Sequence, residues 1–113
     1  MTIANWQEQL RRGTLEFAVL LAVAPGRRYG LEILRHLEFT ALVLTEGTIY
    51  PLLARLERDG LVSAQWVAGE GPRPRKYYRL TAHGRMRVGQ MTAEFRAVTA
   101  RIERLIEAAG GDR

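Results

Sequence analysis

The 113-residue sequence contains no cysteine, which excludes disulfides and thiolate metal sites. It has two histidines, His36 and His83. They fall on different predicted elements and show no HExxH spacing, so a zinc site lacks a ligand set. Ser63 is the only serine, and no base lies near it in sequence to activate it as a nucleophile. The glycine-rich stretch "GEGPRP" (69–74) lacks the Gly-Lys-Ser/Thr ending of a phosphate-binding loop. Together these absences argue against an enzyme, a cofactor or a metal centre. The longest apolar run, Phe17 to Pro25, is too short to span a bilayer. No basic patch precedes an apolar stretch at the N-terminus, as a signal peptide would require. A soluble, cytoplasmic protein with no membrane partner is expected.

Lysine is almost missing too: of 17 positive side chains only Lys76 is a lysine, and the others are arginine. Acid is absent from one long window. Between Gly71 and Ala93 stand Arg73, Arg75, Lys76, Arg79, Arg85 and Arg87 with no Asp or Glu. Without that window the net charge of +5 vanishes and the remainder is close to neutral. A local field of one sign favours an anionic partner, most often nucleic-acid phosphate.

Nearly half the residues are apolar, and the length suits one domain. Ile3, Trp6 and Leu10 predict a short first helix. Leu15 to Ala24 predicts a buried helix capped by Thr14 and ended by Pro25-Gly26. Arg28 to Phe39 carries a helical stripe of Tyr29, Ile33 and Leu37, and 40–44 forms a short connection. In "TEGTIYPLLARLERDGL" (45–61), Ile49, Leu52, Leu53 and Leu56 mark one buried helix face, and Gly60 is the stop. Either Thr45 or Thr48 can be the N-cap. With Thr45, Pro51 lies beyond the first turn. With Thr48, it falls among positions whose N–H has no helical partner.

Leu61–Ala68 and Arg75–Thr81 predict two strands joined by the Gly69–Pro74 turn, with Val62, Ala64, Trp66 and Ala68 on one face. Tyr77 and Tyr78 must lie on opposite faces, one of them in the core. Thr81 then caps a last helix. Its residues Val88, Met91, Phe95, Val98, Ile102, Leu105 and Ala109 alternate steps of three and four, an a/d seam of about three heptads. So narrow a stripe calls for another helix, most simply that of a second copy. Trp6 and Leu10 join Val88, Met91, Phe95, Val98, Ile102 and Leu105 as the expected dimer interface.

Three helices followed by a basic hairpin make a mainly α (α+β) winged helix-turn-helix, here with a long C-terminal dimerisation helix. The expected division is a DNA-binding part over 1–81 and a dimerisation helix over 82–113, forming one unit. In that arrangement the third helix enters the major groove and the hairpin lies along the backbone or minor groove. Gly47 permits close approach, Thr45 and Thr48 can bond phosphate, and Tyr50 can lay its ring on sugar. Arg55 is a further candidate for phosphate or base contact.

The segments "RRGTLEFAVLLAVA", "RYGLEILRHL", "TEGTIYPLLARLERDGLV" and "GPRPRKYYRLTAHGR" run in the order and spacing of the PadR family of bacterial transcriptional regulators, which this chain resembles over Leu10 to Arg87. The resemblance implies a homodimeric repressor that binds a pseudo-palindromic double-stranded operator and is released by a small molecule or another signal. It carries DNA contacts to Tyr29, to Thr45, Gly47, Thr48 and Tyr50, and to Arg73, Arg75 and Lys76 in the wing. Only one helix follows Gly84, as in the short subfamily. Some short members sandwich flat hydrophobic ligands between aromatic side chains at the dimer interface. This last helix has no tryptophan, and Phe95 is its only aromatic. An effector pocket is expected between the N- and C-terminal helices, lined by Trp6, Leu10, Met91 and Phe95. The competing reading is a winged-helix module that uses its last helix to bind another protein and does not bind DNA.

Overall fold

A single 21-residue helix, α1 (Ile3–Val23), opens the chain in the computed structural model, which describes residues 2–38, 45–69 and 71–110. It fuses the two helices expected over this stretch. Thr2 is the N-cap, its hydroxyl accepting from Asn5 N at 3.1 Å. Thr14 caps nothing: its hydroxyl donates back to the Leu10 carbonyl at 2.8 Å, a bond compatible with an unbroken helix. Glu8 reaches Arg11 at 3.0 Å and Arg12 at 3.6 Å across the turn that precedes Gly13. These one-turn pairs offset part of the glycine's cost inside a helix.

Arg28 and Tyr29 form a short strand, β1, and not the first turn of a helix. They pair antiparallel with the second hairpin strand, Arg28 opposite Tyr78 and Tyr29 opposite Tyr77. Helix α2 therefore begins at Gly30 and runs to Glu38. Glu32 reaches back to accept from the Tyr29 backbone N–H at 3.1 Å, the carboxylate half of a capping box. Tyr29 thus sits just outside the helix it was expected to start. Phe39 and the 40–44 connection lie outside the described residues.

Helix α3 spans Glu46–Arg58 with Thr45 as N-cap, so Pro51 lies inside the helix, well past its first turn. Ile49, Leu52, Leu53 and Leu56 are all buried. The helix stops as the sequence suggests. Gly60 adopts φ +76°, Leu61 N donates to the Leu56 carbonyl at 2.9 Å, and Gly60 N donates to the Glu57 carbonyl at 3.0 Å. This is a Schellman end, which favours glycine at its left-handed position.

Strands β2 (Val62–Val67) and β3 (Arg75–Leu80) pair from Val62 opposite Leu80 to Val67 opposite Arg75, giving a sheet of order β1-β3-β2. Tyr78 is the core tyrosine, and Tyr77 lies on the other face. Leu61, Val62, Tyr78 and Leu80 close a core otherwise built from Val19, Leu20 and Val23 of α1, Ile33, Leu34 and Leu37 of α2, and the α3 stripe. Helix α4 (Ala82–Ala108) follows at once. Thr81 accepts from Gly84 N at 2.9 Å and donates to the Gly60 carbonyl at 2.6 Å, fastening the start of α4 to the end of α3. A Cβ at Gly84 would collide with the Leu61 carbonyl oxygen, so this crossing needs glycine. Three helices, a basic wing and a long last helix make up a winged helix-turn-helix.

Only the first part of the α4 seam meets this core: Val88 and Met91 pack against it. Phe95 rests on Phe17 of α1, with ring centroids 5.6 Å apart. Beyond it Val98, Ile102 and Leu105 are 40, 49 and 68% exposed, and Trp6 and Leu10 of α1 are about half exposed. No helix among the described residues is long and apolar enough to cross a membrane.

Candidate nucleic-acid interface

Burial of one α3 stripe decides what its other faces present. At 100° per residue, Gly47, Pro51, Ala54 and Arg58 lie opposite the buried leucines, and all four are exposed. Small residues over most of this stripe leave the helix backbone open to close approach, and Arg58 adds a cation at its far end. Glycine at 47 is not required by the chain itself, because a Cβ there would meet only Thr45 Oγ1 at 3.7 Å. Ala54 and Arg58 were not singled out from sequence, although their spacing from Gly47 already placed them on this stripe.

At the start of α3, Thr45 keeps an extended backbone (φ −99°, ψ 162°) and its side chain caps no N–H. Its hydroxyl instead meets that of Thr48 at 3.2 Å. Both hydroxyls are exposed and retain hydrogen-bonding capacity at the positive end of the helix dipole, where an anion is favoured.

The two flanks of α3 differ. Arg55 lies on the α1 side, 3.7 Å from Glu16. Tyr50 lies on the wing side, its ring seated against Gly30; a Cβ at Gly30 would collide with that ring. Tyr50 therefore belongs to the seam between α2, α3 and the wing, and is still 42% exposed. Tyr29, Trp66, Arg75, Lys76 and Tyr78 line the same cleft, whose volume is about 270 Å³.

The wing's cations are not all presented alike. Arg73 is exposed at the tip. The Arg75 guanidinium stacks 4.6 Å from the Tyr29 ring centre, Tyr29 meets Tyr77 edge-on at 5.3 Å, and Arg27 covers Tyr77 at 4.7 Å. Two stacked rings with a cation at each end thus tie β1 to β3. Lys76 turns toward α3 and bonds Glu57 at 3.1 Å. Burial pushes the Tyr78 phenol above its ordinary pKa; Lys76 opposes that shift, and Glu57 and Tyr50 add to it. Trp66, read from sequence as a face residue of the hairpin, is 66% exposed because the strand runs out past the core at that point.

The family model of the PadR-like transcriptional regulators matches residues 19–90, from the end of α1 through the wing into α4. The chain belongs to the PadR-like family. Its members are transcriptional regulators and not enzymes. Transcriptional regulator Rv3488 of Mycobacterium tuberculosis is 31% identical over 77 residues, covering 68% of this chain and 71% of that protein. The crystal structure of a PadR family transcriptional regulator from Eggerthella lenta superposes with a TM-score of 0.83 at 32% identity, over 93% of this chain and 92% of that one. The structure of Bacillus subtilis PadR in complex with operator DNA shares the fold, with a TM-score of 0.65 at 21% identity over 70% of this chain and 46% of that one.

A second surface lies between α1 and α4. A groove of about 560 Å³ is lined mainly by Leu10, Thr14, Phe17, Ala18, Leu21 and Phe95, with Gln7 and Arg11 at its edge. Of the four side chains expected around an effector, Leu10 and Phe95 meet here and Trp6 and Met91 do not. Met91 lines a separate, arginine-rich cleft with Arg12, Arg55 and Arg58. Phe17, hidden in a run expected to be wholly core, supplies the second aromatic ring.

Proposed function

We propose that this PadR-like regulator is a homodimeric, cytoplasmic, sequence-specific DNA-binding repressor. Residues 1–81 form its DNA-binding body and 82–113 its dimerisation helix. The observation that carries the reading is the outer face of α3. Gly47, Pro51, Ala54 and Arg58 face solvent beside the Thr45–Thr48 hydroxyls, with Arg73 and Arg75 on the adjoining wing. Such a face suits a major groove, with the wing on the flanking backbone. That a protein of the same fold has been solved with operator DNA supports operator DNA as the partner. Arg55 and Tyr50 stand on the flanks, where they border the docked surface.

The dimer reading rests on the exposed row of Phe95, Val98, Ile102 and Leu105 together with Trp6 and Leu10. A second copy would cover this row and set two recognition helices on a pseudo-palindromic operator, one helical turn or about 34 Å apart. The α1–α4 groove would then accept a small hydrophobic effector, with Phe17 and Phe95 as its aromatic walls.

The test is titration of a fluorescent duplex selected from a random pool, repeated at rising salt. A binding constant that falls steeply with salt, together with much weaker binding to a scrambled duplex, is expected. Equal affinity for selected and scrambled duplexes would refute sequence-specific recognition.

A further inference from the structure

Lys76 is the one lysine of the chain and lies on the strand expected to meet phosphate. Its ammonium is directed inward. Nζ lies 3.1 Å from Glu57 Oε1 on α3, and it stands 5.6 Å from the Tyr78 ring centre and 5.9 Å from that of Trp66. About two thirds of the side chain is covered. The register accounts for this. Lys76 opposes Trp66 and Tyr78 opposes Ala64, so the lysine shares the strand face that continues into the core. Glu57 comes seven residues after Tyr50, on the same wing-side flank of α3.

We infer that Lys76 is a positioning residue: through Glu57 it latches the wing to the recognition helix, and its charge neutralises no phosphate. The importance of the latch for DNA rests on the function proposed above; its existence in the free protein does not. The wing reaches past the core here: Trp66, opposite Lys76 in the register, is 66% exposed. An ion pair flanked by two rings sets their relative angle in place of a core. The two possible roles of Lys76 make opposite predictions for Glu57. Were Lys76 a phosphate ligand, Glu57 would compete for it, and Glu57→Gln would tighten DNA binding. As half of a latch, Glu57→Gln weakens it.

Two measurements on the full chain decide this. In the free protein, hydrogen exchange is followed across residues 62–80. Glu57→Gln and Lys76→Met should each speed exchange roughly two- to fivefold, the usual worth of a partly exposed pair. The charge swap Glu57→Lys with Lys76→Glu should return it toward the wild-type rate. Unchanged exchange in both single variants overturns the latch. In the second measurement, affinity for the duplex selected by the wild type is followed against salt. Both single variants should bind roughly two- to fivefold more weakly with the wild-type salt slope. Arg73→Met should lower that slope by about 0.9, the signature of one lost phosphate contact. A slope lowered by the same about 0.9 in Lys76→Met, or tighter binding by Glu57→Gln, overturns the inference. Should the wild type select no duplex, the DNA reading falls, and the exchange measurement still decides the latch.

Discussion

Helices α3 and α4 each begin at a threonine and each carry an apolar stripe at helical spacing. Their environments diverge from there. The α3 stripe is wholly buried between α1, α2 and the wing, while the α4 stripe half-buries Val88 and Met91 and leaves Phe95 to Leu105 largely exposed. The difference lies in length and position. Thirteen residues match the width of the body, whereas 27 residues, about 40 Å of helix, carry α4 past it. An apolar stripe therefore marks a contact without saying whose. In α3 the contact is internal and fixes which residues are offered outward. In α4 the outer row lies beyond the body, and the proposed second copy is what would cover it.

Substitutions on the two stripes should separate these roles. Leu53→Ala removes a fully buried side chain and should cost roughly 2–5 kcal/mol in chemical denaturation, at any protein concentration. Leu105→Ala should leave the fold of the body intact and act only through a concentration-dependent melting temperature. Equal, concentration-independent losses would erase the distinction between the stripes.

Glycines within α4 offer a finer comparison. Gly84→Ala must push against the Leu61 carbonyl and should destabilise by roughly 1–3 kcal/mol. Gly89→Ala meets nothing within 4 Å and should stabilise by roughly 0.4–1 kcal/mol through the unfolded chain. Thermal melts of the pair should shift in opposite directions.

The two caps differ as well. Thr81→Ala loses a true cap and should cost roughly 0.5–2 kcal/mol in denaturation. Thr45→Ala removes a hydroxyl that caps nothing; it should change stability less than Thr81→Ala and reduce duplex affinity more. The smallest effect concerns Tyr78. Because its folded pKa is raised, it contributes stability that is present below the unfolded value of about 10 and is lost as pH climbs through the folded value. Tyr78→Phe should lack that alkaline decline when urea melts are compared across pH.

Much of the body was legible in the sequence. The Ile49–Leu56 spacing, the Gly60 stop, the Thr81 cap and the hairpin depend on neighbours a few residues away, and each formed where local chemistry put it. One failure was non-local. Arg28–Tyr29 became a strand because Tyr77 and Tyr78, some fifty residues on, offered an edge and ring contacts. At α1 the ambiguity was local: a threonine can cap a helix or, inside one, donate to the carbonyl four residues back, and Thr14 does the latter with Leu10. At the candidate site, residue types singled out a candidate surface but not the directions of its side chains. Only the packed structure turned Lys76 and Tyr50 toward the seam.

Sedimentation velocity of the full chain and of Phe95→Asp, each alone and each with the selected duplex, tests the account most directly. The wild type should sediment as two chains at micromolar concentration and bind the duplex as a pair. Phe95→Asp should sediment as one folded chain with strongly reduced affinity. A wild-type protein that remains a single chain at micromolar concentration, or a Phe95→Asp protein that still pairs, would contradict the claim that the exposed row on α4 is closed by a second copy.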